Sequence, residues 1–140
     1  MFLNNSFGKT LDILHRSMDV SSLRNNVISN NIANSDTPNF KRTVVNFETQ
    51  LRDALDSEGQ RPKCQERLTN ERHIPFSRPV DYRDVRPQRF LDYLSVSKNN
   101  GNNVDIEEES MNLLTNQMMY TMMTNSVRSE FARVNLVLRR

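Results

Sequence analysis

The side chains that most often do chemistry are few and scattered in this sequence. The single cysteine, Cys64, and the two histidines, His15 and His73, stand far apart. A thiol nucleophile needs a neighbour that stabilises its thiolate, and an imidazole base needs a partner that fixes its tautomer. None of the three sits in a motif that supplies one. A lone cysteine also excludes an internal disulfide and a multi-thiolate metal site. The acidic run "DIEEES", residues 105–110, has the charge for a cation but not the ligand spacing of an EF-hand loop. It reads as negative charge at the start of a helix. The arginines between Arg61 and Arg89 are interleaved with Glu and Asp, which describes a solvated charged face. No P-loop, dinucleotide fingerprint or nucleophile motif occurs. The expectation is a protein with no catalytic residue, no cofactor and no metal.

Composition narrows the class. The 140 residues suit one ordinary domain. Only 36% of them are apolar, below the roughly 45–50% of a usual globular domain. Mean hydropathy is −0.71, so a large private core is not expected. Three glycines and no tryptophan argue against a multistranded barrel. A formal charge of +2, from 19 basic and 17 acidic residues, gives no reason to expect nucleic acid or an anionic membrane as partner. No apolar run approaches the ~20 residues of a membrane span, so direct membrane insertion is not expected. The opening "MFLNNSFGK" holds no apolar stretch of signal-peptide length. A role outside the cytoplasm would need export without a cleaved signal.

The elements that organise the chain lie at its ends. From Ser6 to about Asn34 the pattern is helical. Phe7, Leu11, Leu14 and Met18 form one apolar stripe; Ile13, Val20, Leu23 and Val27 form another on nearly the opposite side. A second helix is expected from about Asp105 to near the C-terminus. Asp105 and Glu108 have capping-box spacing, Glu107 and Glu109 suit the positive end of the dipole, and Arg133, Arg139 and Arg140 lie towards the negative end. Met111, Leu114, Met118 and Met122 make one stripe on it. Leu113, Tyr120, Val127, Phe131, Val134 and Leu138 make the other, four of them spaced by sevens. Two such helices pair as a coiled coil, parallel or antiparallel, and pairing leaves the second face of each open to partners. The ends are then assembly surfaces, loosely ordered in a lone monomer. Five of the seven methionines fall between Met111 and Met123, where unbranched side chains adapt to irregular contacts.

The fold class is therefore mainly α, with a small irregular, β-containing middle. The divisions expected are 1–37 (helix and corner), 38–103 (extended and loop-rich) and 104–140 (second helix), both termini forming one assembly domain. Within the middle, Phe40, Val44, Val45 and Phe47 favour extended structure. A short helix follows through Leu51 and Leu55. A charged, proline-rich loop comes next, with one short hairpin. A strand-like run from Phe90 leads to the turn at Asn100-Gly101.

Between the first helix and the middle stands "SNNIANSDTPNFKR". Asn30, Asn31 and Asn34 suit a helix end, because Asn tolerates left-handed geometry. Pro38 forbids continuation and pushes Thr37 out of the α region. Asn39 can take a positive φ, and Phe40 is an apolar anchor. This leaves Lys41 and Arg42 free for acidic groups on a neighbouring subunit.

The same stretch, with Asn30, Asn31, Ile32, Ala33, Asn34, Thr37, Pro38, Asn39, Phe40, Lys41 and Arg42, resembles the N-terminal signature of the bacterial flagellar rod, hook and hook-associated axial proteins, commonly "ANNIAN…TPGYKR". Asn39 stands where that family commonly has Gly, and Phe40 where it has Tyr. The run "GNNVDIEEESMNLLTNQMMYTMM" is similar to the C-terminal part of its proximal rod proteins, most of all the B-type members; "HIPF" is a weaker similarity. The short length agrees. The resemblance implies a non-enzymatic structural role in the proximal rod of the flagellar basal body, in the periplasmic space. Subunits would polymerise helically into the drive shaft that transmits torque from the rotor ring to the distal rod and hook. Implied partners are copies of itself, other rod proteins, the rotor (MS) ring with its rod adaptor, and the flagellar type III export apparatus. The alternatives are a C-type proximal rod protein and a soluble helical-hairpin adaptor.

Overall fold

The computed structural model describes residues 5–58, 68–73, 80–95 and 99–139. Cys64, the Ile-Pro-Phe of "HIPF", Arg140 and most of the proline-rich loop lie outside the described residues. Five elements follow in order: α1 (Ser6–Ala33), β1 (Thr43–Asn46), α2 (Glu48–Glu58), β2 (Gln88–Leu91) and α3 (Ile106–Leu138). The chain is mainly helical, as the periodicity predicts. It divides into two compact units, one made of Met1–Val45 with Arg89–Arg140 and one of Asn46–Gln88.

In the first unit the two long helices pair, and their cross-links give the direction. Phe7 meets Phe131 edge-to-face, with ring centroids 6.5 Å apart. Thr124 Oγ1 lies 3.9 Å from Met18 Sδ. The Ser21 hydroxyl donates to Asn116 Oδ1 at 2.9 Å, and Asn116 Nδ2 donates back to the Ser21 carbonyl at 2.9 Å. Asn31 Nδ2 donates to Glu109 Oε2 at 3.0 Å. Rising numbers on α1 meet falling numbers on α3, so the pair is antiparallel.

Helix ends are set locally. The Asn5 side chain accepts from the Ser6 amide at the start of α1. At the other end the Asn34 amide returns to the carbonyls of Asn30, Asn31 and Ile32, and its Nδ2 donates to Asn30 O at 2.8 Å. Asn34 has φ −101°, so this exit is not left-handed, contrary to the expectation for the asparagine cluster. Back-bonding to the last turn closes the helix without it. Asp105 caps α3, but its carboxylate accepts from the Glu107 amide rather than that of Glu108. Glu108 is turned towards Arg42, so half of the expected capping box gives way to an ion pair.

Among the described residues the only sheet is two-stranded, β1 beside β2. It joins chain on either side of the charged loop; the short hairpin expected within that loop falls largely outside the described residues. The ladder runs on as the Asp92 amide donates to Arg42 O at 3.0 Å. In the second unit, α2 is the expected short helix. The buried residues of this unit are Phe47, Leu51, Ala54, Tyr82 and Val85. The Ser57 hydroxyl ties α2 to Val80, accepting from its amide at 3.2 Å.

The second faces of the two helices fare differently. On α1, Val20 and Val27 are buried within the chain itself, and Leu23 is half-buried. This corrects the expectation that pairing leaves that stripe open. The extended stretch after the corner returns along α1, fastened by Asn31 to Thr43 and by Arg24 to the Val45 carbonyl. On α3 the stripe stays open: Met111, Leu114, Met118 and Met122 are all exposed.

Candidate functional site

Two stretches that sequence reading treats separately, residues 30–42 and 101–109, meet in one polar clamp. Its first bolt is Asn31, buried in the last turns of α1. Its Nδ2 donates to Thr43 O at 2.9 Å and to Glu109, while its Oδ1 accepts from the Thr43 amide at 3.0 Å. One amide thus replaces a strand partner for Thr43 and holds the start of α3. The second bolt is Asn102, with no exposed surface. Its Nδ2 lies 2.9 Å from each of three carbonyls, those of Asn34, Ser35 and Thr37, and its Oδ1 accepts from the Val104 amide at 2.7 Å. The third is Asn103, which accepts from the Arg42 amide at 2.7 Å and donates to Asp92 O and Ser95 Oγ.

The corner has the backbone its sequence demands. Asn39 is at φ 59°, among the described residues the one non-glycine with positive φ. Its amide donates to Asn100 O at 3.0 Å, and Gly101 beside it is at φ 78°. A Cβ on Gly101 would come within 2.6 Å of Asn39 Oδ1, the movable end of a side chain, so it is the positive φ that favours glycine there. Asn39→Gly is expected to keep stability within about 0.5 kcal/mol, whereas Asn39→Val should cost roughly 2 kcal/mol, because a β-branched residue is strongly disfavoured in this region. Urea unfolding of the two variants checks this. An Asn39→Val chain as stable as the parent would contradict it.

Lys41 and Arg42 are not free, as the sequence reading had them. Lys41 Nζ donates to Gly101 O at 2.8 Å. Arg42 Nε donates to Asp92 Oδ2 at 2.9 Å and its Nη1 to Glu108 Oε1 at 2.7 Å, with Glu109 Oε1 at 3.7 Å. The two basic residues close the clamp inside the chain because its acids come from the start of α3 and the end of β2.

The carboxylates respond in opposite senses. The Ser95 hydroxyl and amide, then Arg42, hold Asp92 well below the usual carboxylate range. Burial pushes Glu109 up, opposed by the Asn31 amide and the Arg42 charge. The glutamic acid therefore keeps its proton to higher pH when folded than when unfolded. Its contribution favours folding at low pH and fades as pH rises from about 4.5 through the raised value. Asp92 does the reverse: its contribution is present above the ordinary Asp value and is lost as pH falls through the depressed one. Glu109→Gln keeps the shape and the acceptor for Asn31. It should flatten the decline of stability on the alkaline side of pH 4.5 without weakening the fold at pH 7. Melting curves across pH 4–8 give the answer, and an unchanged pH profile would refute the role of burial at Glu109.

The clamp satisfies itself. Among the described residues no buried side-chain polar atom lacks a partner. What it can do is fix the angle at which two long helices leave a corner. The expected interface residues divide accordingly. Phe7, Leu11, Leu14, Met18 and Leu23 are half-buried along α1, and Val20 and Val27 belong to the chain's own interior. Val127 is half-buried on the seam of α3, where Phe131 also points; Met111, Leu114, Met118, Tyr120, Met122, Val134 and Leu138 are exposed. His15 is locally bonded, 3.4 Å from Asp19 on the same exposed helix face. Between the corner strand and α3 lies an open groove of about 340 Å³, walled by Val27, Ile28, Val45, Thr115 and Met119 among others.

Sequence reading missed Ser21, Asp92, Asn102, Asn103 and Asn116. A signal existed for two of them. The stripe Phe7–Leu11–Leu14–Met18 continues by three residues to Ser21, a polar residue where an apolar one is due, and Asn116 falls likewise beside Leu113 and Tyr120.

Comparison with known proteins follows the clamp closely. The sequence pattern of the family described as "Flagella basal body rod protein" matches residues 21–41, from Ser21 on the helix seam to Lys41 in the corner. The chain is 46% identical over 135 residues to the "Flagellar basal body rod protein FlgB" of Borrelia hermsii, covering 96% of this chain and 99% of that protein. It is 44% identical to the protein of the same name from Borreliella burgdorferi, with the same coverage. With that of Bacillus subtilis it shares 31% identity over 94% of this chain and 95% of the relative.

Proposed function

This chain belongs to the FlgB family of flagellar basal body rod proteins, and on that premise we propose that it is a building block of the proximal rod, polymerising helically into the shaft that carries torque outward. It is a structural component of the basal body and assembles with other rod proteins. The three relatives named above all bear the FlgB name, which favours the B type over the C-type and free-adaptor alternatives. Catalysis has no place in this reading. No helix among the described residues is long and apolar enough to cross a membrane. The rod reading places the subunit in the periplasmic space, reached through the flagellar type III export apparatus, with the rotor ring and its adaptor at one end of the stack.

The observation that carries this proposal is the open side of α3. Met111, Met118, Met122 and Leu138 are each more than half exposed along a 33-residue helix. Apolar surface of this extent normally marks an interface. A rod offers repeated, non-closing contacts that would cover it. The clamp supports the same reading, since a tube needs every copy to present its helices at one angle.

The test is replacement of a flagellated cell's own FlgB by this chain, followed by isolation of basal bodies. Motile cells whose purified rods contain the chain are expected. Its absence from rods in cells that make it normally would refute the proposal.

A further inference from the structure

We propose that Asn100-Gly101 is a self-modification site: Asn100 loses its side-chain amide to attack by the Gly101 main-chain nitrogen while the clamp is open, and the closed clamp holds the reaction back. The inference concerns the chain itself and stands apart from the rod reading. Asparagine followed by glycine offers this reaction the least steric resistance, since Gly101 has no Cβ to hinder the approach of its own nitrogen. The Gly101 nitrogen attacks Asn100 Cγ. A C–N bond forms, the Cγ–Nδ2 bond breaks, and Nδ2 leaves as ammonia with the Gly101 amide proton. Solvent water then opens the five-membered imide. Opening at Cγ leaves an ordinary aspartate. Opening at the main-chain carbonyl leaves an isoaspartate, in which the chain runs through Cβ and Cγ. Asn100 is exposed, so water reaches the site.

The fold withholds the freedom that ring closure needs. The Asn100 side chain and the peptide plane that follows it must turn together into one ring, and each is tied separately. Asn100 Oδ1 accepts from the Asn102 amide at 3.1 Å. Asn100 O accepts from the Asn39 amide at 3.0 Å, and Gly101 O accepts from Lys41 Nζ at 2.8 Å. Turning the group into the ring sacrifices these bonds, which an open chain does not have to break.

The isoaspartate does not fit back. The carbonyl that accepts from Asn39 becomes a free carboxylate off the main chain, and one extra backbone carbon separates Asn100 Cα from Gly101. Asn102, next along, has no exposed surface, and its Nδ2 serves three carbonyls at 2.9 Å each. A displacement of one carbon upstream pulls that amide off its acceptors. A chain that stays open therefore ages at this site and loses the means to close, while a chain that has closed keeps it.

The test incubates the full chain near neutral pH, folded in buffer or opened in guanidinium chloride, and follows residue 100 by mass spectrometry of its peptide. Conversion in guanidinium should be at least tenfold faster than in buffer. It should also outpace conversion at Asn34 and Asn125, each followed by serine. Equal rates in the two states would overturn the protection by the clamp, and slower conversion than at those two asparagines would overturn the site. The denaturant is then removed. Copies carrying isoaspartate at residue 100 should be depleted at least threefold among refolded chains, relative to unmodified copies of the same sample. Equal recovery of both would show that the product still closes the clamp and would overturn the proposal. Asn100→Ser keeps a hydroxyl to accept from the Asn102 amide but cannot form the imide. Aged in the same way it should refold in full; as large a loss as in the parent would assign the damage to other residues and count against the site.

Discussion

Asn102→Ala is expected to destabilise the isolated chain by about 3–5 kcal/mol. The residue is wholly buried, and its one amide group serves three carbonyls while its oxygen serves the Val104 amide. Each partner left without a bond in a dry site costs roughly 1–3 kcal/mol, partly relieved where water can enter. A domain of this size has only about 5–15 kcal/mol in total, so the loss should move the urea midpoint sharply. Asn102→Asp separates the two halves of the role. It keeps the acceptor for Val104 but sets a carboxylate against three carbonyl oxygens, and it should be at least as harmful as alanine at neutral pH. A loss under 1 kcal/mol in the alanine variant would show that the corner is held by something other than this amide.

The other large effect concerns assembly. The double variant Met118→Asp with Met122→Asp should fold like the parent, because both side chains are exposed and surface changes usually stay within about 0.5 kcal/mol. Its incorporation into rods should fall at least about 100-fold, since two carboxylates would be buried without partners at several kcal/mol each. The methionines are better probes than Phe131 on the other stripe. Phe131 also packs on Phe7 of its own chain, so Phe131→Asp would disturb the helix pair together with the interface. Near-parental incorporation of the double variant would remove α3's open face from the account.

Much of this architecture was legible because periodicity and punctuation are local. The spacing of Phe7, Leu11, Leu14 and Met18 marks a helix without knowing its partner. Pro38 and Asn39 mark a corner, and the positive φ at Asn39 follows from residue type. The motif that carries the family resemblance was legible for the same reason. What the sequence did not yield is long-range pairing. Asn102 looks like one more turn residue in "KNNGNN", and nothing near it says that its amide reaches carbonyls more than 60 residues away. Lys41 and Arg42 looked available because their acceptors, Gly101, Asp92 and Glu108, come from distant chain. Val20 and Val27 looked like an open stripe because the return of Thr43–Val45 along α1 depends on Asn31 and Arg24 finding backbone partners. Two apolar stripes on α3 were legible, yet which of them pairs with α1 could be decided only by contacts such as Asn31 with Glu109, which leave the methionine stripe exposed.

The central claim is that α3's open face is covered by neighbours in the rod. Oxidative footprinting of methionine tests it directly, with Met111, Met118, Met119 and Met122 as internal reporters, all exposed in the isolated chain. Purified monomer and purified basal bodies would be treated with the same dose of oxidant and the sulfoxide at each position quantified by mass spectrometry. The account predicts ready oxidation of all four in the monomer and at least tenfold protection of Met118 and Met122 in the rod. Equal oxidation of those two residues in both states would contradict it.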